Sequence, residues 1–394
     1  MLTIGKQEAD AVARVIMSGK LFRFGLGSEC AKFEQELAEK TGTKYALVVT
    51  SGTGALICAL AGLGIGPGDE VIVPAYTFMA SPAAVVAVGA IPVIAEIDES
   101  LMLDPADAEK KITSRTKAIM PVHMVGLPAD MNGIMRVARR HGVKVLEDGC
   151  QADGGSYKGK RLGSIGHIGA FSFNYYKNIT CGEGGGVVTN DPAAYEQAII
   201  MHDPGTAFRS HRADLSIEPF IGMAFRMNEI QAAVLRVQLK RIDGLLTKLR
   251  ASKQKVIDGI ADTGLKLVKQ NDPEGECSTT LGLTFKSRRQ ARTFIRLLEK
   301  QGVWASTPID SGRHVYSNWD PIMQKRGAYH RAMNPFLMPE NKGSKVKYTK
   351  TMCPRTTDLL SRAVFVGVGH DWSAADVRKR ITAIKKAADQ LAQQ

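Results

Sequence analysis

One lysine in this chain stands where an amine could be made reactive. The run Phe171-Ser-Phe-Asn-Tyr-Tyr-Lys177-Asn-Ile-Thr-Cys-Gly-Glu-Gly-Gly-Gly186 sets Lys177 between a short apolar strand, Ile168 to Phe173, and glycines at 182 and 184–186. Glycines let a backbone approach something bulky and flat. A partly desolvated lysine held there can lose its proton near neutral pH and form a Schiff base with a carbonyl. Upstream, Val145-Leu-Glu-Asp148-Gly-Cys-Gln151 is an apolar strand ending in carboxylates. An acid beside a pyridine nitrogen keeps that nitrogen protonated and makes the ring an electron sink, so Lys177 with Asp148 fits pyridoxal phosphate. By residue type alone, Lys177 could equally be a solvated surface group and Asp148 a helix cap. Glu147, next door, could do either job.

Two further stretches extend the pattern. Thr50-Ser51-Gly52-Thr53-Gly54-Ala55-Leu56 follows one apolar run and opens a helix. Unbonded amides at a helix start, with two hydroxyls and glycines, form a phosphate site, although Ser and Thr caps with glycine are common without any ligand. Phe78, in Pro74-Ala-Tyr-Thr-Phe78, is by default a core aromatic. Its place just past a strand end makes it a candidate to stack on a cofactor ring.

The elements that must position these residues are legible as apolar runs: Tyr45–Val49, Val71–Ala75, Ile91–Ile97, Ala118–Met124, Lys144–Glu147, Ile168–Phe173 and Gly186–Thr189. They are rich in Val and Ile with little polar alternation, as strands buried on both faces are. The spacing between them suits helical crossovers, which predicts an α/β domain with a mainly parallel sheet. Ligands of such sheets bind beyond the carboxyl ends of the strands, where Ser51, Phe78, Asp148 and Lys177 all fall. From Met227 to about Ile260 the apolar spacing predicts a long helix carrying the chain into another domain. Strands at Leu281–Phe285 and Val303–Ala305 and helices at Ala291–Gln301 and Ala374–Leu391 then predict a smaller α+β domain. The expected division is 27–245 for the large domain and 246–394 for the small one, with 1–26 packing back on it.

Composition bounds the function classes. At 394 residues the chain is long for one core. Its formal charge of +13 is strongly basic, but the basic residues are scattered and no aromatic-interleaved patch appears. That argues against nucleic acid and for anionic small molecules or a solvated basic surface. Six cysteines lie far apart without a Cys-x-x-Cys, so neither a disulfide framework nor a metal site is expected. The first residues carry no signal-peptide core, and Pro82 to Ile97, the longest nearly uncharged stretch, is too short to span a bilayer. A cytoplasmic protein that does not use a membrane is the expectation.

Taken in order, Ser51-Gly-Thr-Gly-Ala-Leu, Pro67-Gly-Asp-Glu-Val-Ile-Val-Pro-Ala-Tyr-Thr-Phe78, Glu147-Asp-Gly-Cys-Gln151 and Phe171-Ser-Phe…Lys177-Asn…Gly182-Glu-Gly-Gly resemble the DegT/DnrJ/EryC1/StrS sugar aminotransferases. The resemblance covers nearly the whole large domain. It implies a fold-type-I, pyridoxal phosphate-dependent enzyme with a seven-stranded sheet, acting as a homodimer. It implies that Lys177 forms the Schiff base and moves the proton, and that Asp148 pairs with the pyridinium nitrogen. Gln151 would approach the ring oxygen or ring face, and Phe78 would stack on the ring. The Gly52 and Thr53 amides and the Ser172 hydroxyl would hold the phosphate. Some relatives carry histidine at the lysine position and act as dehydratases, so lysine implies transamination, with L-glutamate as donor and a keto or aldehyde sugar as acceptor.

Two segments depart from the family pattern. Gly222-Met-Ala224-Phe-Arg226-Met-Asn228-Glu229 has alanine where the family has an asparagine reaching toward the partner's phosphate, with Arg226 or Asn228 as substitutes. Pro308-Ile-Asp-Ser-Gly-Arg-His314 replaces the Pro-Leu-His-Leu-Gln-like segment of nucleotide-sugar members. Ser18-Gly-Lys-Leu-Phe-Arg23, Arg313-His314 and Met352-Cys-Pro-Arg355 are similar to the branch that aminates 8-oxo-3-deoxy-octulosonate for lipopolysaccharide. That makes Arg23, Arg313 and His314 substrate candidates, against the commoner role of arginine as a surface ion-pair partner. Nucleotide-linked keto-sugars and cyclitol ketones are the rival acceptors, and a non-catalytic basic α/β binding protein is the rival of another class.

Overall fold

The computed structural model describes residues 4–24, 27–208 and 215–393. In chain order the first unit holds α1 (Lys6–Ser18), α2 (Glu29–Thr41), β1 (Tyr45–Val49), α3 (Gly52–Gly62), β2 (Glu70–Pro74), α4 (Ala80–Ala87), β3 (Ile91–Ala95), α5 (Pro105–Lys110), β4 (Thr116–Ile119), α6 (Met131–His141) and β5 (Lys144–Asp148). A short hairpin, β6 (Ser156–Tyr157) and β7 (Lys160–Arg161), precedes β8 (Ile168–Ser172), β9 (Gly185–Thr189) and α7 (Pro192–His202). All seven expected strands form one sheet in the order β1-β9-β8-β5-β4-β2-β3. Pairing is parallel from β8 to β3, while β9 runs antiparallel to both its neighbours. The strands are buried along nearly their whole length, which is why their sequences are continuous apolar runs.

The expected long helix is two: α8 (Glu229–Leu239) and α9 (Ile242–Gly259). The apolar spacing runs on through the break, so periodicity does not register it. Tertiary contacts do. The Arg241 amide turns back to the Gln238 carbonyl at 3.0 Å, the Gln238 side chain accepts the Thr180 amide at 2.8 Å, and the Arg241 guanidinium pairs with Glu8 of α1. That last contact also corrects the placing of the N-terminal segment. Helix α1 lies on α8, with Ala11 and Val15 against Ala233, and so packs on the large unit.

The C-terminal unit holds β10 (Lys266–Leu267), β11 (Thr280–Thr284), α10 (Arg288–Lys300), β12 (Ala305–Ser306), α11 (Asp320–Met323), α12 (Pro354–Arg362), β13 (Ala363–Gly367) and α13 (Ala374–Ala392). Its antiparallel sheet has the order β10-β11-β13-β12. The run Ala-Val-Phe-Val-Gly of β13, a central strand, is not among the expected elements. Its core joins Leu281, Phe294, Val364 and Ile384. Tyr316, Trp319, Cys353 and Leu360 instead join the large core with β2 and β3, so the chain past residue 245 contributes side chains to both cores. No helix among the described residues is long and apolar enough to cross a membrane.

Candidate active site

Strand β5 ends in two carboxylates, and the two-residue period of a strand sends them to opposite faces. Glu147 is fully buried. Its Oε1 accepts the amides of Ile165 and Gly166 at 2.6 and 2.5 Å, and its Oε2 accepts the Gly163 amide at 2.9 Å. His123 Nδ1 accepts the Ala129 amide at 3.1 Å, so Nε2 carries the proton and donates to Glu147 at 3.2 Å. Glu147 thus fastens the 163–166 loop. Asp148 faces the other way. Its Oδ2 accepts from Ser81 Oγ at 2.7 Å, and its Oδ1 accepts the Cys150 amide at 3.1 Å.

The turn after β1 comes close to both. Ser51 caps α3, its Oγ accepting the Gly54 amide at 3.0 Å. A Cβ added at Gly52 would lie 2.6 Å from Ser172 Cβ and 3.1 Å from Cys150 Sγ, so only glycine allows this approach. Gly52, Ser172 and the Asp148–Cys150 turn therefore meet, with Thr53 exposed beside them. The glycine cluster has a different job from the one its composition implies. A Cβ at Gly185 would stand 2.3 Å from the Ser51 carbonyl oxygen, so the object that β9 approaches is the turn between β1 and α3. Gly182, at φ +88°, turns the chain back between Lys177 and β9.

Lys177 follows β8, its amide donating to the Asn174 carbonyl at 3.0 Å. It is half-buried, and among the described residues its side chain has no hydrogen bond or ion pair. Its charge nevertheless acts on Cys150, Asp153 and His314. Gln151 Oε1 accepts the Val125 amide at 3.1 Å. Phe78 is 41% exposed and is therefore not a core aromatic. Its ring centroid lies 5.6 Å from that of His314, with the planes tilted by 51°. That contact exists because residues 314–316 lie along the end of β2: the Thr77 amide donates to His314 O, and the Tyr316 amide to Ala75 O, both at 3.0 Å. Burial, with Arg313 and Lys177 nearby, lowers the His314 imidazole to about 4, so it is neutral at pH 7. Arg313 stands exposed next to it.

Arg23 is not brought to this place. Its guanidinium is 3% exposed, donating to Val48 O at 2.8 Å and to Glu34 at 2.5 Å. It ties the N-terminal segment to α2 and β1, and the expectation of a substrate contact fails on burial. The candidates beside Ala224 are also engaged: Arg226 pairs with Asp203 at 2.6 Å, and Asn228 caps α8 through the Gln231 amide at 3.1 Å. Sequence reasoning misses two residues. Ser81, behind Asp148, lies in the first turn of α4, four residues after Thr77, and its type gives no signal. Asp153 lies two residues past Gln151, and its burial, with both carboxylate oxygens unpartnered, cannot be seen in one dimension.

The model of the DegT/DnrJ/EryC1/StrS aminotransferase family matches residues 2–385. A dTDP-3-amino-3,4,6-trideoxy-alpha-D-glucose transaminase of Streptomyces venezuelae is 44% identical over 260 residues, 65% of this chain and 66% of that protein. A 3-amino-5-hydroxybenzoate synthase of Amycolatopsis mediterranei is 41% identical over 239 residues, 59% of this chain and 61% of that one. The chain thus matches a little under two thirds of the length of both. The crystal structure of an aminotransferase from Psychrobacter cryohalolentis superposes with a TM-score of 0.82 at 30% identity, covering 99% of this chain and 98% of that one.

Proposed function

The chain belongs to the DegT/DnrJ/EryC1/StrS aminotransferase family, and from that premise we propose that it is a pyridoxal phosphate-dependent aminotransferase acting on a keto or aldehyde sugar. The observation that carries the reading is the Lys177 amine, half-buried and unpartnered among the described residues, within electrostatic reach of the Asp148–Asp153 segment. The residues fit the cofactor in three respects. The start of α3 with Ser172 beside it supplies amides and a hydroxyl for a phosphate. Asp148, oriented by Ser81, supplies an anion for the ring nitrogen. Phe78 supplies an exposed aromatic face.

When bound, pyridoxal phosphate supplies a ring that withdraws electrons from the carbon losing its proton. The chain does the rest. Lys177 would hold the cofactor through its amine and would move a proton to and from the carbon that the ring activates. Asp148 would hold the proton at the ring nitrogen, and the α3 amides with Ser172 would hold the phosphate. L-glutamate is the proposed donor and the sugar the second substrate, in two successive half-reactions. A second copy of the chain would cover Tyr176, Phe208, Ile221 and Met223, which stand exposed, so we take the enzyme to be a homodimer that works in the cytoplasm.

For the acceptor, exposed Arg313 beside His314, in a segment unlike that of nucleotide-sugar members, supports a free acidic sugar, 8-oxo-3-deoxy-octulosonate, and a place in lipopolysaccharide synthesis. The similarity to a dTDP-sugar transaminase favours the rival, a nucleotide-linked keto-sugar. Loss of the loaded protein's visible absorbance band identifies the true amino product when candidate amino sugars are added one at a time. The enzyme reading itself fails if wild-type protein shows no such band, or if Lys177→Ala keeps a band that borohydride abolishes.

A further inference from the structure

The positive charge of this chain is concentrated in one stretch. From Lys325 to Lys350 stand seven lysines and arginines against a single acid, Glu340, so this stretch carries a net +6 of the molecule's +13. All seven basic side chains are exposed. Lys350 pairs with Asp320 at 3.1 Å, and the other six have no ion pair among the described residues. Tyr329, Met333 and Leu337, exposed by 93%, 52% and 47%, stand among them. The stretch is a strap of single turns, Arg331–Met333, Pro335–Leu337 and Pro339–Asn341, held by its inward-facing polar groups. Asn341 accepts the Gly68 amide at 2.7 Å and donates to Gly89 O and Pro335 O at 2.8 Å. Ser344 donates to Glu70, and Tyr348 to Pro92 O, both at 2.6 Å. Lys325 Nζ donates to Val346 O at 3.3 Å, which brings the two limbs of the strap together. Glu70 and Pro92 lie at the amino ends of β2 and β3, so the strap crosses the end of the sheet opposite Asp148.

We propose that this strap docks the protein reversibly on an anionic lipid bilayer. Unpaired cations held close together repel one another, and an anionic surface relieves that repulsion. The apolar side chains choose among anionic partners. A nucleic acid rewards aromatic stacking and phosphate contacts, and Met333 and Leu337 offer neither. At a bilayer surface the same two side chains enter the boundary between headgroups and acyl chains, and Tyr329 sits at headgroup depth. The expectation that the protein does not use a membrane rests on the lack of a span, and peripheral docking needs none. It leaves the opposite end of the sheet, with the candidate active site, free of the lipid.

Flotation of the full chain, loaded with pyridoxal phosphate, tests this with vesicles of phosphatidylcholine alone or mixed with phosphatidylglycerol. Wild type is expected to float with the anionic vesicles and not the neutral ones, and to bind more weakly as salt rises. Replacing Lys342, Lys345 and Lys347 together by Gln is expected to weaken binding about 10²-fold, since each cation near the surface contributes about fivefold. Met333→Ser with Leu337→Ser leaves the charge unchanged and is expected to weaken it at least about tenfold. These side chains are exposed and do not fasten the strap, so circular dichroism and turnover are expected to match wild type in both variants. Wild type that stays with neither vesicle overturns the inference, as does either variant binding as well as wild type. Tighter binding to a single-stranded oligonucleotide or to polyglutamate in the same buffer also overturns it, in favour of nucleic acid or an acidic protein. Failure of the proposed function reads out separately, as a missing visible absorbance band with flotation intact.

Discussion

Glu147 and Asp148 are adjacent and chemically alike, yet their hydrogen bonds divide them. Glu147 accepts three amides and the His123 ring, whereas Asp148 accepts one hydroxyl and one amide at the mouth of the sheet. Asp148→Asn is therefore expected to retain cofactor but slow both half-reactions by about 10²-fold, a few kcal/mol, because an amide cannot hold the ring nitrogen's proton. Glu147→Gln is expected to lower stability by about 1–3 kcal/mol in urea unfolding, since an amide nitrogen would face backbone donors, with kcat of the folded fraction near wild type. Normal turnover in the Asn variant, with a dead Gln variant, would exchange the two roles. Lys177→Ala is expected to lose at least about 10²-fold in turnover while keeping the fold by circular dichroism, because the proton carrier is removed and the phosphate contacts are not.

At the scale of elements, the site is a junction of turns held close by missing side chains. Gly185→Ala would put a methyl on the Ser51 carbonyl oxygen, and an overpacked contact of this kind costs about 1–3 kcal/mol. Gly52→Ala meets Ser172 and Cys150 instead and displaces the start of α3. Its expected signature is cofactor affinity at least about tenfold weaker in fluorescence titration, since one charge-assisted hydrogen bond is worth about 1.5–3 kcal/mol, with a smaller loss in unfolding midpoint than Gly185→Ala. Unchanged affinity would remove the phosphate from this turn.

Across the whole molecule, the C-terminal half closes the site by laying 314–316 along β2. His314 titrates at about 4 when folded, against 6.5 ordinarily. Between those values the unfolded chain binds a proton that the folded chain refuses, so wild-type stability falls as pH drops from 6.5 toward 4. A His314→Gln variant should lose this part of the slope in thermal midpoints measured across that range; identical slopes would mean that folding does not desolvate the His314 imidazole. Arg313→Ala is expected to raise KM for the sugar acid by about 1–3 kcal/mol in binding while sparing the glutamate half-reaction. Efficient amination of a nucleotide-diphosphate keto-sugar, with none of the free acid, would select the rival acceptor.

Local sequence determined the strands. Seven apolar runs with helical spacing dictate a mainly parallel sheet with Ser51, Phe78, Asp148 and Lys177 past its strand ends, because burial on both faces and the crossover rule act on short stretches of chain. What needs a distant partner was decided by packing. Arg23 and Arg313 are the same residue type in equally unusual segments, yet Glu34 and Val48 take the first inside while the second stays in solvent. Helix α8 ends at Leu239 through contacts with Thr180 and Glu8. Only the fold buries the carboxylate of Asp153 without a partner, since desolvation is a property of what surrounds a residue in space and leaves no mark on its neighbours in sequence.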